Sequence, residues 1–556
     1  MLRKSRVRAL ASAAALVGLI VTGLSAPADA SSVDHGAGGG GGGGYRHRPA
    51  ITARSCASLG AASVPARSIG LPTTGATVTK ATWVTESGGQ CRVLGDIHPV
   101  DPAAPPIKFE VNLPGNWNGR ALQMGGGGYD GTLVTGLGNY ALQPDGQPTP
   151  LQQGFVTLGS DGGHEGAGFD SSFGLNDEAL ANYGTQSIKK THDVAVALVR
   201  KAFKRSPQRF YFIGFSQGGH EAINAAGLYP KDYDGVVAGT PSYNVTMMHA
   251  GIGGVYAKAL YGNGGAGWLN PAKTNLLVSA VSAACDGLDG VKDGVIANTK
   301  GCLDTFDVTT LRCPGGADTG DTCLSDAQIG AANDIASTHN LGFPIAGNSL
   351  VPAAPIYYGA TYSVFTLGTV KQPSVPASGK EAFQYAVYNA IVTNIVTRNP
   401  NYDTTKFNAL DWSSRLQEVA KQLDSTNVDL SAFAKKGGKM LLTTGLADDG
   451  ISPENTTAFY QRQVDAFGQR TLDGFMKYYT MPGFSHGFGA FNARYDALPT
   501  LMNWVEKGKA PSRLTMVDAN KATAGRTRPL CEYPRWVKYT GGDASKASSF
   551  TCTATN

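Results

Sequence analysis

Ser216 stands in Gly214-Phe215-Ser216-Gln217-Gly218, which fits the G-x-S-x-G pattern of a sharp turn that exposes a nucleophilic hydroxyl. A serine hydroxyl is a poor nucleophile at neutral pH and needs a histidine as general base. The histidine in turn needs a carboxylate to fix its tautomer and stabilise the imidazolium. Where such a serine lies on a strand–turn–helix unit, the acid and then the histidine follow it in the chain, each on a loop after a strand. Four histidines follow Ser216: His220, His249, His339 and His486. His220 opens the helix after the serine and is too local to swing back, while His249 and His339 fall in a segment without strand pattern. His486, in "MPGFSHGFG" just past the apolar run "FMKYYTM", is therefore the expected base. "MLLTTGLADDG" supplies two adjacent acids at a strand end, Asp448 and Asp449. Side chains of neighbours point apart, so one alone reaches His486; Asp448 is the expected partner, with Asp449 capping the following "SPEN" turn. Four glycines at 125–128 end an earlier strand, where bare backbone lets amides approach a developing oxyanion. Gly126 and Gly127, with the Gln217 amide, are the expected donors.

These residues need strands to carry them. "IKFEVNLPGNWNGRALQMGGGGYDG" reads as two strands, the second over Ala121 to Met124, and "GFVTLGSDGGH" as another. Gln186 to Phe203 has helical periodicity, with Ile188, Ala195, Leu198, Val199 and Ala202 on one face. "RFYFIGFSQGG" is a strand entering a tight turn, "HEAINAAGLYP" a small-residue helix stopped by Pro230, and "DGVVAGTP" the next buried strand. The pattern lapses from about 243 to 435, then resumes with "GKMLLTTGLADDG", "FMKYYTMPGFSHG" and the helix "ALPTLMNWVEKG". This predicts an α/β-hydrolase sheet with a large inserted lid domain: sheet residues 51–242 and 436–556, lid residues 243–435.

The amino-terminal end reads differently. Arg3, Lys4, Arg6 and Arg8 precede an apolar run from Ala9 to about Leu24, and "APADA" ends at Ala30. That is the pattern of a secretory signal over residues 1–30, short for a membrane span. A Gly-rich linker follows over 31–50. Residues 1–30 hold four basic groups and one acid, so the net charge of +5 falls to +2 without them. A secreted, near-neutral chain of this kind has no electrostatic footprint for nucleic acid or an anionic membrane. All eight cysteines lie after the signal and none forms a C-x-x-C pair, which favours disulfides over zinc. Proximity in sequence suggests Cys56–Cys91, Cys285–Cys302, Cys313–Cys323 and Cys531–Cys552, among 105 arithmetical possibilities.

Within the insertion, "CDGLDGVKDGVI" interleaves Asp286, Asp289 and Asp293 with Gly287, Gly290 and Gly294. Hard carboxylate oxygens on a Gly-turned loop suit Ca²⁺, and an equally plain reading is a run of exposed Asp-Gly turns. The spacing is not that of an EF-hand, because Leu288 and Gly290 stand where the third and fifth ligands belong.

Taken in order, "GSDGGHEG", "FGLNDEALANYGTQSIKKTHDVAVALV", "YFIGFSQGGHEAINAAGLYPKDYDGVVAGTP", "CDGLDGVKDGVI", "GLADDGISPENT", "MPGFSHG", "WVEKGKAPSRL" and "RPLCEYPRWVKY" resemble the tannase and feruloyl esterase family over most of the chain. The resemblance implies an extracellular serine esterase that cleaves small aromatic esters, including those of plant polymers, without an organic cofactor. Members act on hydroxycinnamate esters, gallate esters and a terephthalate monoester; a feruloyl-type activity is the leading expectation. It carries the triad onto Ser216, Asp448 and His486. It also carries a structural calcium onto the side chains of Asp286, Asp289 and Asp293 and the carbonyls of Val291 and Val295. A non-catalytic binding protein on the same fold is the alternative, which the complete triad opposes. One departure stands out: the family has a cysteine just before the serine and another just after the histidine, joined beside the triad. Here those positions hold Phe215 and Gly487, and a large residue facing a glycine is expected to fill the space by packing.

Overall fold

The computed structural model describes residues 50–554 apart from residues 167 and 361. The expected signal, and all of the linker but Ala50, lie outside the described residues. An eleven-stranded sheet organises the rest, in the order β1-β2-β3-β4-β6-β5-β7-β8-β11-β12-β16. Its first half is an antiparallel meander of β1 (Ser63–Val64), β2 (Gly75–Val84), β3 (Gln90–His98) and β4 (Ile107–Pro114). The second half is parallel: β5 (Arg120–Met124), β6 (Val156–Ser160), β7 (Arg209–Phe215), β8 (Gly235–Gly239), β11 (Lys439–Gly445) and β12 (Met476–Met481). β6 joins the halves antiparallel to β4, and β16 (Cys531–Glu532) closes the far edge antiparallel to β12. β8 is buried throughout and β7 and β11 nearly so, as parallel strands covered on both faces must be. This is the α/β-hydrolase arrangement that the run of apolar segments implies.

Two helices flank the site strands. The Ser187–Phe203 helix buries Ile188, Ala195, Leu198 and Val199, and a π-helical turn over Asn182–Gln186 precedes it. Ala202, expected on the same face, is half-buried, and Phe203 is the inward residue instead. The extra residue of the π turn shifts the phase of the helix start. The Gln217–Leu228 helix is built from small residues because it approaches the sheet closely: a Cβ on Gly219 would lie 2.5 Å from the Gly239 carbonyl oxygen.

Between β8 and β11 the chain leaves the sheet. It forms five longer helices (Gly253–Gly265, Pro271–Cys285, Asp326–Ile335, Phe383–Ala390 and Ser413–Leu423) and the hairpin of β9 (His339–Ile345) and β10 (Asn348–Val351). This segment contributes Leu260, Leu277, Ile329, Tyr385 and Leu416 to a hydrophobic cluster separate from the one that holds β7 and β8. β13 (Ala493–Arg494), β14 (Thr515–Asp518) and β15 (Thr527–Pro529) form a small sheet, and β17 (Trp536–Tyr539) pairs with β18 (Phe550–Thr553). No described helix is long and apolar enough to cross a membrane.

Four disulfides crosslink these parts: Cys56–Cys91, Cys285–Cys302, Cys313–Cys323 and Cys531–Cys552. The last ties β18 to the edge strand β16 across a sequence separation of 21. Closing a loop of that length restricts the unfolded chain by about 3 kcal/mol. Replacing both Cys531 and Cys552 by Ser should therefore lower the denaturant midpoint by a corresponding amount; an unchanged midpoint would show that packing alone holds the tail.

Candidate active site

The parallel strands all deliver their carboxyl ends to one edge of the sheet, where side chains from different loops can converge. Ser216 follows β7 directly, at φ 61° and ψ −121°, a conformation that side chains rarely adopt. Its backbone is pinned on both sides. The Ser216 amide donates to the Gly239 carbonyl at 2.9 Å, and its own carbonyl accepts from Gly219, His220 and Ser242 at 3.0, 3.2 and 3.2 Å. Gly214 and Gly218 are required by contact distance: a Cβ on Gly214 would lie 2.0 Å from the Gly218 carbonyl oxygen.

Asp448 lies three residues beyond β11 and is fully buried. Its Oδ1 accepts from the amides of Gly450 (2.9 Å) and Ile451 (2.8 Å), and its Oδ2 accepts from His486 Nδ1 at 2.9 Å. Because a carboxylate only accepts, this bond places the proton on Nδ1 and leaves Nε2 as the ring's acceptor. The acid and base loops are joined through their backbones: Leu446 donates to Met481 at 3.0 Å and Ala447 to Phe484 at 3.0 Å. The His486 side chain is 30% exposed. Its desolvation opposes the charged form, but the Asp448 charge and hydrogen bond, with the Asp449 charge, prevail and raise the imidazole above its ordinary value of 6.5.

Phe215, next to the serine, packs its ring 4.9 Å from the His486 ring and 6.0 Å from that of Phe484. The juxtaposition brings His486 to the strand that leads into Ser216. The expected pairing of Phe215 with Gly487 is corrected here. Gly487 is exposed at φ 90°, and nothing lies within 4 Å of where its Cβ would be. The phenyl ring is held by residues 484 and 486 instead. Asp449 also departs from expectation. It turns to the Ser485 hydroxyl, which donates to it at 3.1 Å, whereas Ser452 caps the Pro453–Phe467 helix. Burial first, and then the Asp448 charge, push Asp449 up to about 7.

The remaining histidines after Ser216 are engaged elsewhere: His220 with Asn224 at 3.0 Å, His249 with the Tyr129 hydroxyl at 2.6 Å, and His339 with the Asp334 carbonyl at 2.6 Å. Of the expected oxyanion donors, Gly126 is corrected. Its amide donates to Glu221 Oε2 at 2.9 Å and is not available to a ligand. Gly127 is the glycine whose Cα faces open space. Gln217 begins its helix, so its amide is among those without an intrahelical acceptor.

Aromatic side chains not singled out in the sequence complete the surroundings. Phe169 lies against Gly128, stacks edge-on with Phe383 at 5.2 Å, and packs on Tyr129 at 5.5 Å. Phe383 in turn reaches to 3.7 Å from the position of a Cβ on Gly450, beside the Asp448–His486 pair. A half-buried phenyl pair thus spans from the glycine loop to the acid. Nothing in the spacing of either residue betrays this, since one comes from a loop after β6 and the other from the insertion.

Away from this edge, Asp286 Oδ1 accepts from the Asp293 and Gly294 amides at 3.2 and 2.8 Å, and Asp289 Oδ1 from Val291 at 3.2 Å. Asp293 Oδ1 accepts from the Val295 amide at 3.1 Å, and Asp293 pairs with Arg528. Asp289 is pushed up to about 7, by burial first and then by the charges of Asp293 and Asp286. Three carboxylates of one loop thus lie beside two arginines, Arg528 on the Asp293 carboxylate and Arg526 on the Asp293 carbonyl. Among the described residues, the group of three donors near enough to share an ion is a different one, His192, Asp193 and Asp232, where Lys189 already bridges the two acids at 2.7 and 2.9 Å.

The chain is similar to known proteins over most of its length. The family model described as "Tannase and feruloyl esterase" matches residues 91–553. An uncharacterised esterase of Agrobacterium fabrum is 38% identical over 91% of this chain and 94% of its own. The mono(2-hydroxyethyl) terephthalate hydrolase of Piscinibacter sakaiensis is 31% identical over 81% of each. An Aspergillus oryzae esterase structure superposes with a TM-score of 0.73 at 25% identity, covering 90% of this chain and 100% of its own.

The Asp448–His486 contact makes a direct prediction. In a histidine NMR titration, the His486 resonance should move at a pH above 6.5, and Asp448→Asn should bring that midpoint down. A midpoint that ignores the substitution would contradict the placement.

Proposed function

As this chain belongs to the tannase and feruloyl esterase family, and so to the carboxylic ester hydrolases, we propose that Ser216, His486 and Asp448 form its catalytic triad and cleave esters of aromatic acids. The observation that carries this reading is the 2.9 Å Asp448–His486 bond seated on Phe215, one residue from a serine held at φ 61°. Ser216 Oγ attacks the ester carbonyl while His486 Nε2 takes its proton. Asp448 holds the ring's tautomer and stabilises the imidazolium. The oxyanion of the tetrahedral intermediate is received by the amides of Gly127 and Gln217. The imidazolium then returns the proton to the departing alcohol, leaving an acyl-enzyme on Ser216. Water, deprotonated by His486, attacks that ester, and the imidazolium returns the proton to Ser216 Oγ as the aromatic acid leaves.

Phe169 and Phe383 supply the wall against which an aromatic acyl group packs, and the insertion over 243–435, which contributes Phe383, acts as the lid. Two phenyl rings favour an apolar ring face over a ring carrying three hydroxyls, which needs hydrogen-bonding partners. Feruloyl-type esters are therefore the proposed substrates ahead of gallates. The relative named for a terephthalate monoester makes aromatic polyester fragments the second candidate. Export by the amino-terminal segment suits a chain with four disulfides.

The same reading assigns a structural Ca²⁺ to Asp286, Asp289 and Asp293 with the carbonyls of Val291 and Val295. It would neutralise the crowded acids and stiffen a loop that touches the base loop. Val295 packs at Gly483, and Arg526 bonds both the Asp293 carbonyl, at 3.0 Å, and the Ala490 carbonyl, at 2.5 Å.

Two experiments test these assignments. On methyl ferulate, methyl gallate and mono(2-hydroxyethyl) terephthalate, the wild type should hydrolyse ferulate faster than gallate by about 10-fold or more. Ser216→Ala should lose roughly 10³-fold or more on each. An unaffected mutant would remove the catalytic role of Ser216, and faster gallate hydrolysis would overturn the substrate order. Chelation with EDTA should lower the melting temperature by a few degrees and added Ca²⁺ restore it, with Asp289→Asn insensitive to both. A melting temperature indifferent to EDTA in the wild type would remove the ion.

A further inference from the structure

The segment that carries the acid is held from two sides. On one side the base loop supports it: the Ser485 hydroxyl donates to Asp449 at 3.1 Å, beside the Asp448–His486 bond. On the other lies the insertion between β8 and β11, and three of its residues bond the chain just after Asp448. The Ala353 carbonyl accepts from Ser452 Oγ at 2.5 Å, and the Tyr358 hydroxyl donates to Glu454 at 3.0 Å. Nearest the acid is Gln384. Its side-chain amide donates to the Asp449 carbonyl at 3.2 Å and to the Gly450 carbonyl at 2.8 Å.

Gln384 is confined to this contact. It is 4% exposed and sits in the first turn of the Phe383–Ala390 helix, next to Phe383 of the phenyl wall. The Gly253–Gly265 helix crosses behind it so closely that a Cβ on Gly253 would lie 2.7 Å from the Gln384 carbonyl oxygen. Its amide has one tenable orientation, since turning it over would set its oxygen against two carbonyl oxygens. Among the described residues, no loop or turn amide donates to the Asp449 or Gly450 carbonyl, so the side chain supplies what the main chain does not.

We propose that Gln384 is a positioning residue that makes the alignment of Asp448 depend on a seated lid. A trans peptide group is a rigid plane with its C=O and N–H on opposite sides. The peptide joining 449 to 450 gives its N–H to Asp448 Oδ1 and its C=O to Gln384, and the peptide joining 450 to 451 does the same. One side chain of the insertion therefore fixes both peptides that hold the catalytic carboxylate. A donor on each C=O also polarises the N–H beyond it and strengthens its bond to Asp448. With the Phe383–Ala390 helix in place, Asp448 Oδ2 is aimed at His486. With that helix lifted, both peptides are free to turn and the carboxylate loses its aim. The wall that receives the acyl ring and the acid that orients the base are thus set by adjacent residues of one helix.

This inference rests on the triad and the lid proposed above, so Ser216→Ala is assayed alongside. Gln384→Met keeps the buried volume and removes the donors. It is compared with wild type on nitrophenyl acetate, whose acyl group is too small to span the phenyl wall, and on a nitrophenyl ester of an aromatic acid. Rates are read on the alkaline plateau, where the imidazole is neutral. Gln384→Met should lower kcat on both esters by at least about 10-fold, with each KM within about 3-fold. The His486 NMR midpoint, which Asp448 raises in the wild type, should fall towards 6.5 in the same variant. Gln384→Ala should reproduce both effects even if the methionine packs poorly. Wild-type kcat in Gln384→Met, a loss confined to the aromatic ester, or an unmoved His486 midpoint would each overturn the proposal. Ser216→Ala as active as wild type would instead overturn the nucleophile assignment beneath it, while the His486 midpoint would still report on Gln384.

Discussion

The strained backbone of Ser216 is the constraint around which the site is arranged. A residue at φ 61° and ψ −121° persists when its surroundings over-determine it, and here four backbone hydrogen bonds do so, from β8, the following helix and the Ser242 turn. Gly214 and Gly218 meet too closely for any side chain, and Gly219 lets the helix close on the end of β8. The small-residue helix and the fully buried parallel strands are consequences of that contact. They allow the first turn of the helix to lie where its amides face the same edge as the serine.

The second requirement is that separately delivered loops keep register with the serine. The family to which the chain belongs commonly crosslinks the residues flanking serine and histidine, and this chain has Phe215 and Gly487 there. The replacement is by aromatic packing: Phe215 bears on His486 and Phe484, and the acid and base loops are joined by main-chain hydrogen bonds. The glycine loop is fastened by chemistry of another kind, through Glu221 on one face of Gly126 and Gly218 on the other.

The strand–turn–helix around Ser216 and the strand ends that carry Asp448 and His486 were legible in the sequence because they are local patterns: apolar runs of strand length, each followed by a turn. The parallel sheet followed from the same runs. What escaped was contact between segments remote in sequence. Phe383 and Phe169 are more than 200 residues apart and meet at the site. Gly126 looked like a free amide because its partner, Glu221, belongs to the helix after the nucleophile. Glu221 did leave a trace, as the one acid of a helix rich in Ala and Gly. Asp449 does not cap the following turn because Ser452, three residues on, fills that place, while the loop after β12 brings Ser485 to Asp449.

The central claim is that Ser216, and no other residue, carries the acyl group. A serine-directed fluorophosphonate, followed by proteolysis and mass spectrometry of the labelled peptide, tests it most directly. The account predicts a single adduct on Ser216, slowed strongly in His486→Ala. An adduct on another side chain, or labelling of Ser216 at the same rate without the histidine, would contradict it.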